Sequence, residues 1–177
     1  MSGHPPHPDD DPASGPPAAW RQLATALGLQ PHPEGGHYRE VFRSSHPVQF
    51  HGGQRSAGSS IYYLLAQGAC SAWHRIDADE VWYFHAGSLL ALHMLRPDGA
   101  LVTQHLGDPL RHAGAVFQAV VPAGCWFAAE LADRESFCLV GCAVAPGFEF
   151  SGFQLAVEAD MADAVQRHGD WIRRLLK

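Results

Sequence analysis

Hydrophobic and polar positions along the chain fall into three regimes. Between about Gly36 and Phe153, short runs rich in aromatic and β-branched residues are cut repeatedly by Gly, Pro and Asp. Runs of this kind predict antiparallel strands. They fall at His37 to Arg43, Ser59 to Leu65, Ser71 to Ile76, Val81 to His85 and Leu89 to Leu95, then at Leu101 to His105, Phe117 to Val121, Cys125 to Glu130 and Phe137 to Val144. Arg96-Pro97-Asp98-Gly99, between two of them, is a strong hairpin turn. Eight or nine short strands joined by such turns predict an all-β jelly roll.

The flanks carry helical periodicity instead. From Ala19 to Leu29, Trp20, Leu23, Ala24 and Leu27 share one face, and Gly28 and Pro31 supply stop signals. After Phe153 a second stripe runs through Met161, Val165, His168, Ile172 and Leu175 or Leu176. Acids at its start (Glu158, Asp160, Asp163) and bases at its end (Arg173, Arg174, Lys177) complement a helix dipole, and Gly169 divides the stretch in two. This segment is expected to pack on the outside of the strands. Residues Met1 to Ala18 are dominated by Pro, His, Asp, Gly and Ser and are expected to form a disordered tail, with no role for His4 or His7. The organisation read from the sequence is therefore a tail over 1–18 and a single domain over 19–177.

Composition narrows the function classes. A chain of 177 residues with 46% hydrophobic content suffices for one domain with a substantial core. The formal charge of -6, without a Lys/Arg cluster, argues against nucleic acid. No basic leader followed by an apolar run and no membrane-length apolar stretch is present, so a soluble, cytoplasmic protein without membrane contact is expected. The four cysteines form no Cys-x-x-Cys pair. Cys138 and Cys142 share a strand face and read, like Cys70 and Cys125, as free thiols of the core.

Candidate chemistry centres on Gly68 to Gly87, where His74 follows the first glycine and Glu80 lies six residues further on. If His74 points inward, so do Ala72 and Ile76, while Trp73 and Arg75 point out. Glu80 starts the next strand, with Trp82 and Phe84 as its inward companions, so His74 and Glu80 are expected to meet at one mouth of an aromatic cavity. As a hydrogen-bonded unit, such a carboxylate fixes the imidazole tautomer and raises its basicity, making His74 a candidate general base. An inert pocket histidine is the alternative. On the strand at 59–65, Ser60, Tyr62 and Leu64 share one face, and Ser59, Ile61 and Tyr63 the other. Tyr62 reaches His74 only if its face is the inner one. The Gly35-Gly36 pair permits a tight turn beside Glu34, Tyr38 and Arg39. Arg39 and Arg55 are forks able to grip a carboxylate or phosphate, or to form structural salt bridges. Trp126 and the stretch Pro146-Gly147-Phe148-Glu149-Phe150 are placed to roof the cavity or to pack its end.

Five stretches in order carry a resemblance to a known family. They are Pro31-His32-Pro33-Glu34-Gly35-Gly36-His37-Tyr38-Arg39-Glu40, Arg55 to Leu65, Trp73-His74-Arg75-Ile76-Asp77-Ala78-Asp79-Glu80-Val81-Trp82, Val121-Pro122-Ala123-Gly124-Cys125-Trp126, and Val140 to Phe150. Together they resemble the cupins grouped as cupin_5 or domain of unknown function 985, over about Leu27 to Ala156. The resemblance implies a jelly-roll cupin with overall similarity to deoxysugar epimerases, usually a homodimer, and no established reaction.

In cupins, the spacing from Gly68 to Gly87 carries two histidines and a glutamate, and a second motif supplies a third histidine. Here Ile76 and Phe127 stand at the two missing histidines. His74 and Glu80 remain as a possible partial metal site, which water, Asp77, Asp79 or a substrate oxygen would have to complete. No cofactor is assigned beyond a weakly held divalent ion. Resemblance to the sugar epimerases implies His74 as base and Tyr62 or Tyr38 as acid. The reading is a small-molecule-binding cupin for a small polar or sugar-like ligand. It is epimerase- or isomerase-like, or else a non-catalytic binder or weakly metal-dependent enzyme. The candidate catalytic set is His74, Glu80 and Tyr62, and the candidate ligand-binding set is Glu34, Tyr38, Arg39, Arg55, Ser60, Trp82 and Trp126.

Overall fold

The computed structural model describes residues 17–177. The expected tail lies outside the described residues, except that Pro17 and Ala18 already belong to the first helix, α1 (Pro17–Ala26). The strands that follow are β1 (Gln30–Pro31), β2 (His37–Arg43), β3 (Pro47–Phe50), β4 (Gly53–Ser56), β5 (Ser59–Ala66), β6 (Cys70–Ile76) and β7 (Asp79–Gly87). They continue with β8 (Leu90–Leu95), β9 (Leu101–Leu106), β10 (Ala115–Val116), β11 (Gln118–Val121), β12 (Trp126–Leu131), β13 (Phe137–Ala145) and β14 (Phe153–Leu155). Helix α2 (Glu158–His168) and a 3₁₀ turn at Asp170–Leu175 close the chain.

Hydrogen bonding divides the strands between two six-stranded sheets, in the orders β1-β2-β5-β13-β7-β11 and β10-β9-β8-β12-β6-β14, plus the hairpin β3-β4. The consecutive strands β6, β7 and β8 alternate between the sheets, the crossing that makes this a jelly roll, or double-stranded β-helix. The main core fills the space between the sheets. Tyr63, Leu65, Trp82 and Val140 of the first sheet face Leu90, Leu92, Met94 and Phe127 of the second.

The predicted strands are present, each within two residues of its expected ends. The β3-β4 hairpin is an addition: Gly53-Gln54-Arg55-Ser56 carries no apolar residue, so alternation leaves no mark on it. The two-residue strands β1 and β10 are too short to show a period.

On the outer face of the second sheet, Trp73 and Ala128 are covered by Met161, Ala164, Val165, Ile172 and Leu175. The Trp73 indole donates to the Ile172 carbonyl at 3.1 Å. The C-terminal segment therefore packs outside the strands as expected, and Gly169, at φ 101°, breaks it into helix and 3₁₀ turn. All four cysteines are free, with Cys70 half-buried and the others buried. No helix among the described residues is long and apolar enough to cross a membrane.

Candidate functional site

A cavity of about 630 Å³ opens at one end of the sheets, lined by residues of β2, β5, β6, β7 and β13, the 30–34 segment and the 148–150 segment. His74 enters it from β6, with 2% of its surface exposed. As alternation requires, Ile76 also lines the cavity, Trp73 lies in the outer cluster, and Arg75 is bonded to Gln154. Strict alternation fails one step earlier. The register between β6 and β12 shifts, so that His74 opposes Phe127 and Ser71 opposes Ala129. This bulge turns Ser71 to the same side as His74 although the two are three residues apart.

Both then reach one carboxylate, that of Glu34. Its Oε1 accepts the Ser71 hydroxyl at 2.9 Å, and its Oε2 lies 3.1 Å from His74 Nε2. The other ring nitrogen, Nδ1, lies 2.7 Å from the Ala72 carbonyl, which can only accept, so Nδ1 carries a hydrogen. Nε2 faces the cavity. Sequence alternation suggested Glu80 as the carboxylate at His74; the contact belongs to Glu34, because the 32–36 turn folds across the end of β6.

The glycine pair makes that turn possible. Gly35 and Gly36 adopt φ 118° and 67°, and a side chain at Gly35 would place its Cβ 2.1 Å from the Cys70 carbonyl oxygen. The turn is pinned by Tyr63, whose hydroxyl donates to the Gly35 carbonyl at 2.8 Å, and by Ala72 N–H donating to the Glu34 carbonyl at 3.0 Å. His32 Nδ1 accepts the Glu34 backbone N–H at 3.3 Å and lies 3.5 Å from Glu34 Oε2. Burial pushes the His32 imidazole below its ordinary range, toward the neutral form.

Glu80 projects into the same cavity from β7 with 7% exposure. Burial, reinforced by the charge of Glu34, pushes its carboxyl up to about 8. Burial also drives up Tyr63 and Cys142, so neither supplies an anion at neutral pH.

The other sequence candidates divide between this cavity and elsewhere. Tyr38 lines it, packed edge-on against His32 at 4.6 Å. Tyr62 does not: Ser59, Ile61 and Tyr63 form the inner face of β5, leaving Ser60 and Tyr62 on the outer one. There Tyr62 packs against His85, with Arg39 above its ring at 6.0 Å. Arg39 shares that outer face because Tyr38 and Glu40 take the inner positions of β2. Arg55 is locked in a two-bonded pair with Asp77, at 2.6 and 2.8 Å. Trp82 is buried in the core against Tyr63 and Phe127 rather than on the cavity wall. Trp126 sits under Arg75, 4.5 Å away on the outside of the second sheet. Phe148, Glu149 and Phe150 do line the cavity. His32, Glu40 and Arg43 are lining residues absent from the candidate set; His32 and Glu40 lie inside the Pro31 to Glu40 stretch, and Arg43 has no motif to mark it.

Residues 21–156 match the family model described as the cupin superfamily group Cupin_5 (DUF985). The chain belongs to this family of cupins. A crystal structure of the Shewanella oneidensis protein SO0799 is similar to this cupin at 39% identity and a TM-score of 0.80, covering 88% of this chain and 96% of that one. A hypothetical protein from Leishmania major matches at 31% identity and TM-score 0.80, covering 88% and 97%. The uncharacterized protein YML079W of Saccharomyces cerevisiae is 28% identical over 159 residues, 76% of this cupin and 74% of its own length.

The donor set does not fit the metal centre that the cupin motif implies. The Ile76 side chain lines the cavity where a second imidazole would stand, and Phe127, fully buried, lies with its ring 3.9 Å from that of His74. Among the described residues no group of three or more His, Cys, Asp or Glu side chains is placed to hold an ion. Instead the two apolar residues wall the polar cluster, Phe127 with Phe153 enclosing the imidazole.

Proposed function

We propose that this cupin transfers protons at a carbonyl of a small sugar-like substrate, as an epimerase or isomerase. The observation that carries the reading is the meeting, in one cavity, of a positioned imidazole and a buried carboxyl, Glu80, raised to about 8. Groups that exchange protons at about the working pH are the ones general acid–base catalysis requires.

In the proposed step a substrate seated between Tyr38, Phe148 and Phe150 displaces the Glu34 contact, the proton shared there staying on the Glu34 carboxyl so that Nε2 is bare, and presents a C–H next to its carbonyl to His74 Nε2. Nε2 takes that proton as the C–H electron pair forms the enediol double bond. The Glu80 carboxyl gives its proton to the carbonyl oxygen. Return of a proton to either carbon or either face, with Glu80 regaining its own, completes isomerisation or epimerisation with atoms and charge balanced. Glu34 positions the imidazole and does not touch the reacting carbon.

The test is incorporation of deuterium from D₂O into candidate ketoses and aldoses, followed by NMR for wild type, His74→Ala and Glu80→Gln. Each variant is expected to lose about 10²- to 10⁴-fold in exchange rate. Equal exchange in wild type and His74→Ala overturns the assignment. Saturable ligand binding without exchange in any form establishes the alternative, a non-catalytic binding cupin.

A further inference from the structure

We propose that the cavity selects a sugar-sized ligand carrying a primary amine and turns away phosphorylated, nucleotide-linked and carboxylate-bearing ones. This deepens, and rests on, the reading of the cavity as a sugar-like substrate site.

The charges that line this cavity are one-sided. Four carboxylic side chains line it: Glu34, Glu40, Glu80 and Glu149. Among the described residues the one guanidinium on its wall, Arg43, is already consumed. Its Nε donates to Glu40 Oε1 at 3.1 Å, and its Nη2 donates to Glu40 Oε2 at 2.6 Å and to the Phe148 carbonyl at 3.0 Å. His74 is engaged by Glu34 at 3.1 Å, and burial favours the neutral form of His32.

The two other arginine forks near these strands point elsewhere. Arg55 has both terminal nitrogens on Asp77, and Arg39 lies over Tyr62 on the outer face of the first sheet. Among the described residues the wall of the cavity offers an entering phosphate or carboxylate no unpaired cation; Lys177, held on the Pro33 carbonyl, lies outside the lining. Repulsion between like charges in a partly desolvated space outweighs what the remaining hydroxyl contacts return.

An ammonium meets the opposite situation. Glu80 is buried with another carboxylate, Glu34, as its charged neighbour, so a cation brought beside it relieves the burial of both. Glu149, exposed at the mouth, adds a second attractive carboxylate along the way in. The rings of Tyr38, Phe148 and Phe150 offer faces that attract a cation while packing on the apolar side of a sugar ring.

Titration calorimetry with glucose, glucosamine and glucose 6-phosphate on the intact chain tests the proposal. Glucosamine is expected to bind at least about tenfold more tightly than glucose, and glucose 6-phosphate most weakly. Glu149→Lys, a change at an exposed position, should raise the affinity for glucose 6-phosphate roughly tenfold and lower that for glucosamine. Glucose 6-phosphate binding as tightly as glucose, glucosamine binding no tighter than glucose, or failure of all three to bind overturns the selectivity. The readout is independent of turnover. The stated order without deuterium exchange keeps the amine selectivity and removes the proton-transfer reading, and exchange with a different order does the reverse.

Discussion

His74 Nε2 lies 3.1 Å from Glu34 Oε2 while its Nδ1 is fixed on the Ala72 carbonyl at 2.7 Å. Without a hydrogen between them, Nε2 and Oε2 are both acceptors, so the contact holds one shared proton, and the cavity-facing atom of the imidazole is the one involved. Glu34→Gln tests this sharing with little change of volume. Its amide can still donate to Nε2 and accept from Ser71, so the thermal midpoint is expected to fall by only a few degrees, by about 1 kcal/mol. Exchange activity should fall by about 10²-fold or more, because an amide cannot move the proton. Unchanged exchange rates in Glu34→Gln would remove Glu34 from the proton-transfer unit.

Glu80 makes a distinct prediction about pH and stability. Its carboxyl is raised from an ordinary value of 4.5 to about 8 in the folded chain. Below 4.5 both folded and unfolded states hold the proton, and Glu80 costs nothing. Between 4.5 and 8 only the folded state holds it, so its contribution is lost as pH rises across that window, by about 1.4 kcal/mol per pH unit. Above 8 the loss is complete. Glu80→Gln lacks this term, so in urea unfolding the variant should gain on wild type steadily from pH 5 to pH 8. A difference between the two that does not vary with pH would show that the carboxyl is not raised.

The two adjacent tyrosines of β5 should respond oppositely. Tyr63 reaches the Gly35 carbonyl at 2.8 Å and so fixes the turn that carries Glu34. Tyr63→Phe leaves that carbonyl without its partner and is expected to cost about 1 kcal/mol in stability, with a several-fold loss of exchange and rescue of neither by added salt. Tyr62→Phe, on the outer face beside Arg39 and His85, should leave exchange within twofold of wild type. The reverse pattern would mean that β5 presents its other face to the ligand.

The split between what the sequence disclosed and what it concealed has physical causes. Strand existence was legible because the two-residue period of β5, β6, β7 and β13 is set by burial of one face between the sheets. That His74 and Ile76 share one face followed from the same period. What period alone does not carry is which face of β5 turns in, since Ser60 with Tyr62 and Ser59 with Tyr63 are chemically matched. Nor does it carry the bulge that brings Ser71 round beside His74. Long-range pairing was the larger gap. Glu34 is forty residues from His74 in sequence, and only the left-handed backbone at Gly35 and Gly36, with Tyr63 as its anchor, delivers it to the imidazole ahead of Glu80. Glu40 and Arg43 join the lining because β2 shifts register against β5 between Glu40 and Phe42, which no sequence period marks.

Arg55 is where a residue with the right chemistry for a ligand has a structural occupation, and the two roles separate experimentally. Its Nη1 and Nη2 each bond one oxygen of Asp77, and its guanidinium lies 4.7 Å from the Phe50 ring, tying the β3-β4 hairpin to the turn between β6 and β7. The hydrogen bonds from Arg55 hold Asp77 below its ordinary value of 3.8. A depressed carboxylate stabilises the fold above its unfolded value and loses that contribution as pH falls through the folded one. Arg55→Met keeps the packing on Phe50 and removes the pair. It is expected to cost about 1 kcal/mol at pH 7, since Asp77 is partly solvated, and the cost should shrink as pH falls below 3.8. Ligand affinity in the cavity, measured by calorimetry on the same variant, should stay within twofold of wild type. A tenfold loss of affinity with unchanged stability would return Arg55 to the ligand-binding set.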